Sequence, residues 1–61
     1  MIQHRIKELR LTRGMSLADL SARAGLPEEQ LLRIEQGERL PSLEVVQSLA
    51  SALGVQLGDL L

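Results

Sequence analysis

Glu29 and Arg33 stand four residues apart, the spacing at which a carboxylate and a guanidinium meet on one helix face. Glu28 adds a second carboxylate beside the first, and Gln30 adds an amide. These groups can pair charges and exchange hydrogen bonds, but they cannot make or break a covalent bond without further parts. His4 is the only histidine, and it lies one turn before Glu8, which reads as an exposed i,i+4 pair and not as a catalytic base. The chain has no cysteine, so a thiol nucleophile, a thiolate metal site and a disulfide are all excluded. No carboxylates are spaced to share an enclosed pocket, and no glycine-rich loop is present to cradle a phosphate. The chemistry available is recognition. An enzyme is not expected, nor a cofactor, a bound metal or a small-molecule ligand in this domain.

The elements that would position such groups are clearest from Met15 to Gly37, MSLADLSARAGLPEEQLLRIEQG. Ser16 and Asp19 have the spacing of a capping box, in which each side chain accepts from the other residue's backbone N–H. Met15 and Leu20 flank that box as a hydrophobic staple. Leu17–Ala24 then forms one helix, and Gly25 ends it because glycine takes the left-handed conformation without a Cβ clash. Pro27 has the fixed φ of a first helical turn, and Glu28 and Glu29 place negative charge at the positive end of the next helix dipole. Leu31 and Ile34 give this helix an inward face, and Gly37 closes it. Leu32 falls off that face. Two helices of about eight residues joined by a tight glycine turn match a helix-turn-helix unit.

Around this unit, Ile2, Ile6 and Leu9 recur at helical spacing and define a first helix that ends before Gly14. Arg10 lies beside that apolar stripe, where a charge needs a partner. Glu38–Pro41 has no periodicity and reads as a loop. Ser42 then caps a helix whose stripe is Leu43, Val46, Leu49, Ala50 and Leu53, stopped by Gly54. Val55, Leu57, Leu60 and Leu61 suggest a last helical turn folded onto the core. The expectation is an all-α fold, a compact bundle of five short helices at about 2–13, 17–24, 28–36, 43–53 and 57–61, in a single domain over 1–61. No apolar run approaches a membrane span and no N-terminal segment resembles a signal peptide, so a soluble, cytoplasmic protein is expected. Seven basic and eight acidic side chains leave a formal charge of −1, which argues mildly against indiscriminate nucleic-acid binding.

Taken together, the run from RIKELRLTRGMS through RIEQGERLPSLEVVQSLASALGV resembles the lambda-repressor-like, Cro/C1-type (XRE-like) helix-turn-helix family over essentially the whole chain. The resemblance implies DNA binding in transcription regulation, with the third helix in the major groove and its N-terminal residues toward base edges. It places Glu28, Glu29, Gln30 and Arg33 at base-facing positions. It assigns phosphate contact to Gln36, Gly37, Arg39 and Ser42, and a structural ion pair to Arg10 and Glu35. The implied partner is double-stranded DNA, with a homodimer possible through the end near Leu57, Leu60 and Leu61.

The sequence departs from the family where DNA would be touched. Many relatives begin the second helix with a phosphate-holding glutamine, and Leu17 stands there. Pro27, Glu28 and Glu29 occupy positions that are polar or basic in many relatives. An arginine at position 33 can take guanine O6 and N7, or simply pair with Glu29. The two acids can accept from a cytosine amino group, or only stabilise a helix N-terminus. Leu32 can touch a thymine methyl or a protein partner, or be a partly covered surface leucine. Two functions therefore stand open: a sequence-specific DNA-binding module of a transcriptional regulator, and a protein-interaction or dimerisation module that kept the fold and lost DNA contact.

Overall fold

Short-range signals fix where each helix starts and stops. In a computed structural model, which describes residues 1–61, four α-helices follow one another: α1 (Ile2–Thr12), α2 (Leu17–Ala24), α3 (Glu28–Glu35) and α4 (Leu43–Leu53). Ser16 Oγ accepts from the Asp19 N–H at 3.0 Å while the Ser16 N–H donates to the Asp19 carboxylate at 3.1 Å, closing the capping box of α2. The bond from the Ser16 backbone N–H to this carboxylate, with a smaller contribution from the Ser16 hydroxyl, holds the Asp19 carboxyl below its ordinary pKa. Ser42 caps α4 by accepting from the Val45 N–H at 3.2 Å. Pro27 stands just outside α3, at its N-cap, with extended backbone and no capping side chain.

All four helices end alike. At each C-terminus one N–H reaches back five residues and its predecessor reaches back three, as in Leu26 to Ser21 and Gly25 to Ala22. This is the Schellman arrangement, and it requires a left-handed residue in the penultimate position. Gly25 supplies it after α2, at φ 72°, and Gly37 after α3, at φ 77°.

The fifth helix of the expected bundle is corrected to a single 3-10 turn, Leu57–Asp59. The Asp59 and Leu60 N–H groups donate three residues back, to the Gln56 and Leu57 carbonyls, which are the i→i+3 bonds of the 3-10 form. Leu60 behind it is fully buried, whereas Leu61 is 77% exposed and adds nothing to the core. The stripe of α4 likewise loses Leu43, which is 61% exposed. A first-turn side chain leans back past the helix N-terminus, beyond the edge of the core.

The core joins all of these elements. Ile6 of α1, Leu20 of α2, Leu31 and Ile34 of α3, Leu49 of α4 and Leu60 are fully buried. Each such side chain contributes roughly 1.5–3 kcal/mol when removed from water. Met15 and Leu20, the staple residues, both lie in this cluster, so the entrance to α2 is anchored in the core. Helix α2 packs against both α3 and α4, and α1 closes over α3 and α4.

One expected charge pairing is replaced by another. Glu8 does not pair with His4: its carboxylate accepts from Arg5 Nη1 at 2.7 Å, leaving His4 exposed. Arg5 offers Glu8 a permanently charged guanidinium with several N–H donors from one helical turn away. Arg5 Nε also donates to the Asp59 carbonyl at 3.1 Å and ties α1 to the C-terminal turn.

Candidate nucleic-acid interface

Helix α3 turns Leu31, Ile34 and Glu35 inward and leaves Glu28, Glu29, Leu32, Arg33 and Gln36 at the surface. With 3.6 residues per turn, the outward residues form one continuous face, with Glu28 at one margin and Arg33 at the other. Gln30 is half-buried on the Arg33 side. No other element covers this face.

What holds the helix in place is Arg10. Its Nε donates to Glu35 Oε2 at 2.7 Å and its Nη2 to Glu35 Oε1 at 2.9 Å, a two-pronged pair between α1 and the last turn of α3. The third prong, Nη1, donates to the Met15 carbonyl at 2.9 Å, just ahead of the α2 cap. One guanidinium thus fixes α1, the start of α2 and α3 against each other. The side chains retain only 9% and 4% of their exposure, and no buried side-chain nitrogen or oxygen lacks a partner. The hydrogen bonds to Glu35 outweigh desolvation and raise the Arg10 pKa, so this charge persists at every working pH.

On the outward face, Arg33 Nη2 donates to Glu29 Oε1 at 2.7 Å across one turn of helix. Glu28 makes no such bond. Glu29, Gln30 and Arg33 come together with Pro27 and Arg39 around an open depression of about 310 Å³ with no hydrophobic lining residue. Arg39 reaches it from the loop after α3 and has no carboxylate partner. Glu28, Gln36, Gly37 and Ser42 lie outside the depression.

The loop's backbone donors are distributed unevenly. The Gly37 and Glu38 N–H groups donate to Ile34 and Arg33 carbonyls, closing α3, while those of Arg39 and Leu40 find no acceptor within the chain. Gly37 therefore shapes the loop, and the free donors follow it. Ser42 Oγ already accepts from Val45, which leaves its hydroxyl hydrogen for an outside acceptor. Gln36 is exposed at the C-cap of α3. Spacing could find the Glu29–Arg33 pair, but Arg39 reached this depression only through the turn set by Gly37.

No helix is long and apolar enough to cross a membrane, and no group of three or more histidine or acidic side chains is placed to hold a metal ion.

Comparison with known proteins places this geometry. A helix-turn-helix family profile matches residues 6–60. The HTH-type transcriptional regulator DdrOP3 of Deinococcus deserti is 44% identical over 57 residues, which are 93% of this chain and 44% of that protein. The chain thus spans under half the length of that curated relative. Among solved structures, the restriction-modification controller protein C.AhdI from Aeromonas hydrophila superposes with a TM-score of 0.96 at 32% identity, over 98% of this chain and 91% of that one. SinR, the master regulator for biofilm formation, in its complex with DNA gives a TM-score of 0.92 at 33% identity, over 98% and 97% of the two chains. Family profile, helix arrangement and a regulator at 44% identity agree, and the chain belongs to the helix-turn-helix family of lambda-repressor-like domains.

Proposed function

We propose that this chain is the sequence-specific, double-stranded DNA-binding module of a cytoplasmic transcriptional regulator, with α3 in the major groove. The observation that carries this is the uncovered outer face of α3 beside a mostly polar depression that Arg33 and Arg39 both line. Such a face offers hydrogen-bonding groups to base edges while Leu31, Ile34 and Glu35 anchor the helix from behind. Arg33 takes a guanine, Gln30 reaches an adjacent base edge, and Glu28, the carboxylate without an internal partner, accepts from a cytosine amino group. Glu29 acts on the same face. Arg39, the free N–H groups beside it, Gln36 and the Ser42 hydroxyl meet phosphates around the loop that Gly37 shapes. Two copies would occupy half-sites about 34–36 Å apart. Of the leucines at the C-terminal end, Leu61 is exposed and Leu57 half-buried, so these two are available for that contact while Leu60 is buried.

A second reading, a protein-interaction or dimerisation module, draws on Leu40, which is 86% exposed in the loop, and on Leu43 nearby in sequence. Selection from random duplexes followed by a salt titration separates the two. A DNA-binding module enriches a motif, and log affinity falls against log salt by roughly 0.9 per phosphate neutralised. No enriched motif and a flat salt response would leave the interaction reading in its place.

A further inference from the structure

Two arginines line one depression, yet their electrostatic situations differ. Arg39 has no carboxylate partner, whereas Arg33 Nη2 is bonded to Glu29 Oε1 at 2.7 Å. We propose that Glu29 is a positioning residue that directs Arg33 to the neutral edge of a guanine and keeps it off the phosphates, an inference that rests on the DNA-binding reading above. A lone arginine at the groove settles most readily on phosphate, because full charges attract most strongly. A carboxylate at hydrogen-bond distance removes that preference twice over: it compensates the guanidinium charge, and it repels any phosphate approaching the pair. Guanine O6 and N7 carry no net charge, so their attraction for the remaining guanidinium N–H groups survives. Only one of the five N–H donors is needed for the single bond to Glu29. The pair also removes rotamer freedom, since both side chains would otherwise be mobile at 54% and 74% exposure. Glu29 is then not a base reader itself. Specificity comes from a charge that weakens total affinity.

The test uses the duplex enriched from a random library, a scrambled duplex, and copies of the enriched duplex carrying 7-deazaguanine at each guanine in turn. That analogue lacks the N7 acceptor. The parent protein loses about tenfold or more in affinity at one such position. Glu29→Ala loses most of this penalty, binds the scrambled duplex more tightly, and steepens the salt slope by about 0.9 as Arg33 moves to a phosphate. Glu29→Gln, which keeps the acceptor oxygen without the charge, retains part of the penalty. Glu38→Ala removes the same charge from the neighbouring loop and keeps the full penalty, and thermal midpoints of the Glu29 variants stay near the parent's. A full 7-deazaguanine penalty in Glu29→Ala overturns the inference while leaving DNA binding intact, as does a loss of selectivity that appears at a cytosine instead. Failure of any duplex to enrich overturns both.

Discussion

Removing either Arg10 or Glu35 should damage the fold far more than removing both. In Glu35→Leu, the guanidinium keeps its charge in a site where the side chain is 9% exposed, with one carbonyl as its remaining partner. In Arg10→Met, the carboxylate is stranded at 4% exposure and the Met15 carbonyl, which accepts from nothing else in the chain, also loses its donor. A stranded buried charge costs about 3–5 kcal/mol, and an unmet buried carbonyl about 1–3 kcal/mol. The double variant strands no charge and keeps only the carbonyl cost. The single losses therefore sum to about 7–13 kcal/mol against about 1–3 kcal/mol for the pair, a coupling of at least about 4 kcal/mol. A domain of this size has about 3–9 kcal/mol in total, so each single variant lies near the edge of folding. Arg10→Lys and Glu35→Gln, which preserve one bond each, keep the cycle measurable. With no aromatic residue in the chain, urea unfolding is followed by far-ultraviolet circular dichroism. Additive losses across the cycle would refute the idea that this pair acts as one unit between α1 and α3.

Arg33→Ala should weaken the enriched duplex by about 1–3 kcal/mol and relax selection at one guanine, whereas Arg39→Ala should weaken all duplexes alike and reduce the salt slope by about 0.9. Equal losses from both variants on specific and scrambled DNA would remove Arg33 from the base-reading face. Glu28→Gln should lower affinity for the enriched site while raising it for scrambled DNA, because a matched acceptor is weakened as phosphate repulsion is relieved; parallel gains on both would exclude cytosine reading. The Asp19 carboxyl is held below its ordinary pKa in the folded state, so its stabilising contribution is complete above about pH 4 and disappears as pH falls through the lowered folded value. Thermal midpoints between pH 6 and pH 2 should therefore fall less steeply for Asp19→Asn than for the parent, and identical slopes would dismiss the capping box as an acid-sensitive element.

Helix punctuation was legible in the sequence because its physics is short-ranged. A serine cap reaches three residues and a Schellman closure spans six, so Ser16, Gly25, Ser42 and Gly54 carry their conformational meaning wherever the chain puts them. Apolar spacing likewise marks the inward sides of α3 and α4, and four-residue spacing finds Glu29 and Arg33. Periodicity cannot tell where a core ends, which is why Leu43 and Leu61 belong to the pattern but stand in water. Nor can it choose between partners at similar spacing, as when Glu8 takes Arg5 in preference to His4. Position beside an apolar stripe demands a partner for Arg10, and family resemblance names Glu35, but the third bond to the Met15 carbonyl follows from how α1 meets the start of α2. Arg5 reaches Asp59 across 54 residues, and Arg39 joins Gln30 and Arg33 around one depression, with no local signal for either. Those arrangements arise from helices packed on a common core, where each side chain's neighbours depend on every other helix's position and not on its own place in the chain.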